Sequence, residues 1–228
     1  MNRASFDELS SRLPGEVGIA IVRAGQAPLC LGRWSTGVAW STSKVPLAIA
    51  ALRAGVGSDE LVASTIVQSD NAAAEELWSQ LGDPAEAARQ VRAVIVEAGD
   101  PATVIESRRR RAGYTAFGQT GWSLAGQAQF AAGMSHVHGA SPVVDLMRNL
   151  TTEHHWGLAP KGFAAKGGWG PGLGDDYLVR QFGIIPTESG NVGIALAAAE
   201  MRDGGYQAGV DVVNSLADWI VDHVLTEQ

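Results

Sequence analysis

Near the start of the chain Phe6, Leu9 and Leu13 recur at intervals of three and four and stop at Pro14-Gly15, the spacing of one helical face closed by a turn pair. The pattern then changes. EVGIAIVRAG and PLCLGRWS are rich in apolar and β-branched residues and are joined by a glycine-containing turn around Gly25-Gln26-Ala27, which predicts a hairpin. From Trp40 to about Leu150 the spacing is helical and alanine-rich, with breaks at Gly55, Gly57, Asp83-Pro84, Asp100-Pro101 and Ser141-Pro142. Strand patterns return in GFAAKGGW, DYLVRQFGIIP and NVGIALAAAE, and a last helix is predicted from about Gln207 to Leu225.

Strands clustered at both ends with helices between them predict an α+β fold, a mainly antiparallel five-stranded sheet flanked by terminal helices with a helical lobe inserted. Residues 1–40 and 151–228 then form a discontinuous α/β lobe and 41–150 the helical lobe. Reactive groups are expected where the two meet. There is no internal repeat and no low-complexity linker.

Charge and composition narrow the partners. With 228 residues, 46% of them hydrophobic, the chain can bury a substantial core. A formal net charge of −7 argues against nucleic acid or an anionic membrane as the main partner. The run Arg108 to Arg111 reads as a solvated loop. Cys30 is the only cysteine, so no intramolecular disulfide forms. The start MNRASFDELSSRLPG has no apolar signal core, and no apolar run has the length of a membrane span.

Lysine is rare: Lys44, Lys161 and Lys166 stand against fourteen arginines. Arginine stays protonated in proteins, whereas a buried lysine can act as a base. Lys44 lies three residues after Ser41 at the predicted start of a helix, so the two share a face, and unpaired N–H groups there favour an oxyanion. Pro46 suits a first turn. Taken alone, the same residues read equally well as an N-cap serine and a surface lysine. Ser69-Asp70-Asn71 separates two helical segments, by itself an ordinary capping sequence. FAAKGGWGPG is a strand ending in Lys166-Gly167-Gly168, where glycines let a backbone come close.

Together and in this order the three motifs resemble the signature of the penicillin-recognising serine enzymes, SxxK, SDN and a lysine-glycine motif on an edge strand. The chain is most similar to class A serine β-lactamases and low-molecular-weight D-Ala-D-Ala peptidases, and the similarity in element order runs from end to end. That resemblance implies a β-lactamase/transpeptidase-like fold and a cofactor-free acyl transfer. It makes Ser41 the acylated nucleophile, Lys44 its base, and Ser69 the relay of a proton to the leaving nitrogen. Asn71 would hold the substrate's amide side chain, and Lys166 would supply positive potential. The backbone N–H groups of Ser41 and Trp169 would form the oxyanion hole, with Gly167 and Gly168 beside the substrate. The substrate would be a small β-lactam or peptide-like amide, and the family works outside the cytoplasm.

The match departs from the family in four places. Gly167 stands where a serine or threonine hydroxyl helps bind the substrate carboxylate. The arginine that assists is unassigned, Arg180 being the candidate on the next strand. The segment between Ser41 and Ser69 is short, which implies an open cleft. Glu106 sits where class A enzymes carry their deacylating base, without the Leu-Asn that follows it in the family and just before four arginines. It reads as that base or as a surface partner of the arginines. His154-His155 is weak evidence for a metal, and GGWGPGLG lacks the ending of a phosphate loop. An esterase or amidase on the same fold and a non-turnover, sensor-like β-lactam or peptidoglycan binder are the alternatives.

Overall fold

The computed structural model describes residues 3 to 23, 25 to 172, 176 to 201 and 205 to 224. Leu225, the expected end of the last helix, lies outside them. Helix α1 (Arg3–Arg12) buries Phe6. Strands β1 (Glu16–Arg23) and β2 (Leu29–Gly32) form the expected hairpin, Ile19 opposite Leu31. A short strand β3 (Thr36–Val38) follows, then α2 (Lys44–Ala54), which ends at Gly55 in the left-handed conformation.

The helical segment continues through α3 (Asp59–Val67), α4 (Asn71–Gln80) and α5 (Pro84–Glu97). Beyond the short strand β4 (Gly121–Ser123) come α6 (Leu124–Gly133) and α7 (Ala140–Met147). Ser58, Asp70, Asp83 and Ser123 open α3, α4, α5 and α6, each accepting from first-turn N–H groups. Helix α2 packs at the centre of this layer, against α3, α4, α5 and α7. Its side chains from Lys44 to Ala51 are all buried, which explains its apolar sequence.

Strands β5 (Ala164–Pro171), β6 (Tyr177–Thr187) and β7 (Gly190–Ala199) complete a five-stranded antiparallel sheet of order β2-β1-β7-β6-β5. The last helix is α8 (Gly205–Val224). The sheet's two faces are covered by different helices. Gly193 on β7 lies against the α6 backbone, whereas Val179, paired with Ala198, meets Gly209 of α8. Alternation therefore sends Lys166, Gly168 and Arg180 to the α6 face and Gly167 and Trp169 to the α8 face. Helices α1 and α8 pack together through Phe6 and Trp219, whose rings meet edge-on at 5.2 Å.

The sequence pattern does not anticipate the β3–β4 ribbon, in which Gly37 lies opposite Trp122. Three residues per strand carry too little alternation to be read. This ribbon ties the helical segment to the start of the chain beside β6. Among the described residues no helix is long and apolar enough to cross a membrane.

Candidate active site

Trp40 to Ser43 form a 3-10 turn immediately ahead of α2, so Ser41 sits in that turn and Lys44 is the first residue of the α-helix. Trp40 has φ +52, a left-handed conformation unusual for a bulky side chain. Side chains pin the turn. Thr42 Oγ1 donates to the Ala39 carbonyl (2.5 Å), Ser43 Oγ donates to that of Trp40 (2.7 Å), and Gln127 Nε2 donates to Thr42 Oγ1 (2.7 Å). Ser41 is half-buried and opens into a cleft of about 300 Å³ that Lys44, Ser69, Asn71 and Trp169 also line.

Lys44 is buried, and its Nζ donates to Asn71 Oδ1 (2.7 Å), to Ser69 Oγ (3.3 Å) and to the Ser69 carbonyl oxygen. None of these partners is Ser41, so the pairing expected from their spacing is not the one formed. The acceptors that fix the ammonium come from the α3–α4 junction. Burial pulls the Lys44 pKa from 10.5 to about 7, against the opposing charge of Asp70. A neutral amine is thus accessible near neutral pH.

Ser69 is held by the turn into α4. Asp70 Oδ1 accepts from Ala72 N (2.7 Å) and Ala73 N (3.2 Å), and Ser69 takes φ +55. Its hydroxyl accepts from Lys166 Nζ at 2.7 Å, while Lys44 approaches the same oxygen. Lys166 is fully buried, and its pKa lies well below the usual range because of burial and then the charge of Lys44.

The glycines of β5 mark close approaches. A Cβ at Gly168 would lie 2.8 Å from Ala39 O and 2.9 Å from Ser41 N, so the strand runs directly beside the serine turn. A Cβ at Gly167 would lie 2.4 Å from the Trp156 ring. The space on that side of the strand is therefore filled by an indole. Trp169 follows, its ring 5.2 Å from His154 and 5.0 Å from Tyr206.

Two expected residues lie elsewhere. Arg180 is not in the cleft: it is fully buried, donating to the carbonyls of Gly37, Val38 and Trp122 and to Gln127 Oε1. It is on the same face as Gly168 but one strand further in, under the β3–β4 ribbon. Glu106 does not line the cleft either. Its carboxylate accepts from Arg110 Nε and from Arg108 N, contacts that hold its pKa down. Arg109 pairs with Glu75 at 2.9 Å, and Arg109 and Arg110 are exposed, as expected of a solvated run. Arg111 differs from them. Its guanidinium lies over the Trp40 and Tyr114 rings and donates to the carbonyls of Pro171 and Gly172.

His154, read in the sequence only as half of a weak metal pair, lines the cleft. Its Nε2 is 2.8 Å from the Gln68 carbonyl oxygen, which can only accept. Burial lowers its pKa, assisted by the charges of Lys166 and Lys44. Tyr114 and Tyr177 complete an aromatic wall that no sequence signal marked. Among the described residues no three potential metal ligands cluster.

No family model matches the chain, and no curated protein matches it. Solved structures do match. A β-lactamase from Chitinophaga pinensis superposes with a TM-score of 0.76 at 18% identity, over 97% of this chain and 98% of that one. The TLA-3 extended-spectrum β-lactamase gives 0.73 at 15%, over 96% and 98%. An ancestral class A β-lactamase gives 0.71 at 19%, over 96% and 98%. The chain has the fold of the class A β-lactamases, spanning it from end to end.

Proposed function

We propose that this chain is a serine acyl-transfer hydrolase of the β-lactamase and D-Ala-D-Ala peptidase type, working through an acyl-Ser41 intermediate. The observation that carries the reading is the buried Lys44 amine, drawn to a pKa of about 7 in the cleft that Ser41 lines and joined through Ser69 Oγ to Lys166. Neutral Lys44 takes the Ser41 proton as the Oγ–carbon bond forms and the carbonyl electron pair moves onto oxygen. The N–H groups of Ser41 and Trp169 receive that oxyanion. When the carbon–leaving-group bond breaks, the proton passes from Lys44 through Ser69 Oγ to the departing atom. Lys166 holds Ser69 in place for the transfer, and Asn71 orients both Lys44 and the substrate.

Hydrolysis of the acyl-enzyme is slow in this reading, because no carboxylate lines the cleft among the described residues and Glu106 is engaged by Arg110. Mixing the protein with a panel of β-lactams and aryl esters, then measuring intact mass and mapping the modified peptide, tests the proposal. The expected result is a single persistent adduct on Ser41. An adduct on Ser69, or none with any compound, rejects it.

A further inference from the structure

We infer that the acyl donor suited to this cleft is uncharged where it meets β5 and is held by aromatic contact, as in an aryl-bearing ester or amide with no carboxylate beside the scissile bond. The inference rests on the acyl-transfer reading above and names the substrate class for that same site. It follows first from where the positively charged side chains near the cleft are engaged. Lys44 already faces three acceptors, Ser69 O, Ser69 Oγ and Asn71 Oδ1, as many as its ammonium has protons and more than its neutral amine can fill. Lys166 is buried out of contact with solvent and directs its protons to Ser69 Oγ and the Gly167 carbonyl. Arg180 directs its guanidinium to four acceptors under the β3–β4 ribbon, away from the cleft. Arg111 stands outside the lining, its charge against the rings of Trp40 and Tyr114.

The second part is shape. By the resemblance, Gly167 is the β5 position from which a side-chain hydroxyl would reach a substrate carboxylate; here Trp156 fills the volume that such a side chain would need. An anion placed there would lose water and meet the Trp156 ring, where no lysine or arginine side chain stands. The cleft itself is lined by Trp40, Tyr114, Trp169 and Tyr177, whose ring faces favour flat apolar groups. Among the described residues, Lys44 is the only lysine or arginine in the lining, and no aspartate or glutamate lines it.

The test uses the whole wild-type chain and three esters: phenyl phenylacetate, its 3-carboxyphenyl analogue and phenyl acetate. The first two leave the same phenylacetyl group on Ser41 and differ by one carboxylate, so their rates compare the charge alone. Phenyl phenylacetate is expected to acylate Ser41 about tenfold faster than the carboxylated ester, the scale of a single poorly compensated charge, and faster than phenyl acetate. The same ester assayed on Tyr177→Ser is expected to lose its advantage over phenyl acetate. Equal rates or a preference for the carboxylated ester would overturn the inference while leaving acyl transfer intact. If that preference disappeared in Arg111→Gln, Arg111 would be identified as the anion site. Labelling of Ser41 by none of the three, and by no β-lactam, would remove the acyl-transfer reading and the inference with it.

Discussion

Lys166 Nζ donates to Ser69 Oγ across 2.7 Å, joining residues 97 positions apart in the chain. The bond fixes the hydroxyl oxygen from the sheet side while Lys44 approaches it from α2. Ser69 Oγ is therefore the point at which the sheet and the helical layer meet chemically. In the proposed reading, its own proton goes to the departing atom.

Lys44→Arg is expected to abolish acylation of Ser41 although it keeps the positive charge, because a guanidinium supplies no neutral nitrogen at working pH. Loss of adduct by intact mass, with an unchanged circular dichroism spectrum, is the expected outcome. Retention of most of the acylation rate would mean that Lys44 serves as a fixed cation.

The acylation rate should rise with pH through about 7, where Lys44 changes from ammonium to amine. Below that point it should fall about tenfold per pH unit, as expected of an essential base. The same group makes stability depend on pH. Between about 7 and the ordinary 10.5 the unfolded chain binds this proton and the folded chain does not, so stability rises with pH across that window, by on the order of 1 kcal/mol per unit. The penalty of the buried charge is complete below it. Rates of Ser41 labelling and denaturant midpoints measured from pH 5 to 10 check both limbs.

Gly168→Ala places a methyl group 2.8 Å from Ala39 O and 2.9 Å from Ser41 N, contacts that backbone atoms cannot relieve cheaply. The strand must back away from the serine turn. Acylation is expected to fall at least about a hundredfold, since oxyanion donors act only at hydrogen-bonding distance. The fall in stability should stay within about 1 to 3 kcal/mol, the usual cost of overpacking. Parallel thermal melts and labelling rates separate the two.

Arg180→Met removes the donor to three carbonyls and to Gln127, which in turn holds Thr42 in the serine turn. Loss of stability on the order of 3 kcal/mol is expected from the stranded buried acceptors. Because Arg180 does not reach the cleft, the relative rates of charged and neutral substrates should not change. A change in that ratio would show that the guanidinium contributes to substrate recognition.

Glu106→Gln should leave the lifetime of the acyl-enzyme within about twofold of wild type, far from the loss of 10² or more expected when a general base is removed. Its carboxylate is engaged by Arg110 and Arg108. Turnover of a chromogenic cephalosporin, lost in this variant while acylation continues, would reassign Glu106 as the hydrolytic base.

The sequence alone determined the order of the main elements, though not the β3–β4 ribbon, together with the five strands of the large sheet and the three motifs, because each is written in local spacing: period two in the strands, helical spacing around α2, and a capping aspartate at Asp70. It also singled out Lys44 and Lys166 by their rarity. What it left open depends on contacts between distant segments. The faces of Arg180 and Gly167 were decided only by pairing register, since period-two alternation fixes which residues share a face but not which helix covers it. Lys44 turned from Ser41 to Ser69 and Asn71 because those acceptors arrive from the start of α4, beyond the reach of any spacing rule. His154, Tyr114 and Tyr177 carry no motif. They line the cleft because the loops before β5, ahead of β4 and at the start of β6 converge on the edge of one strand.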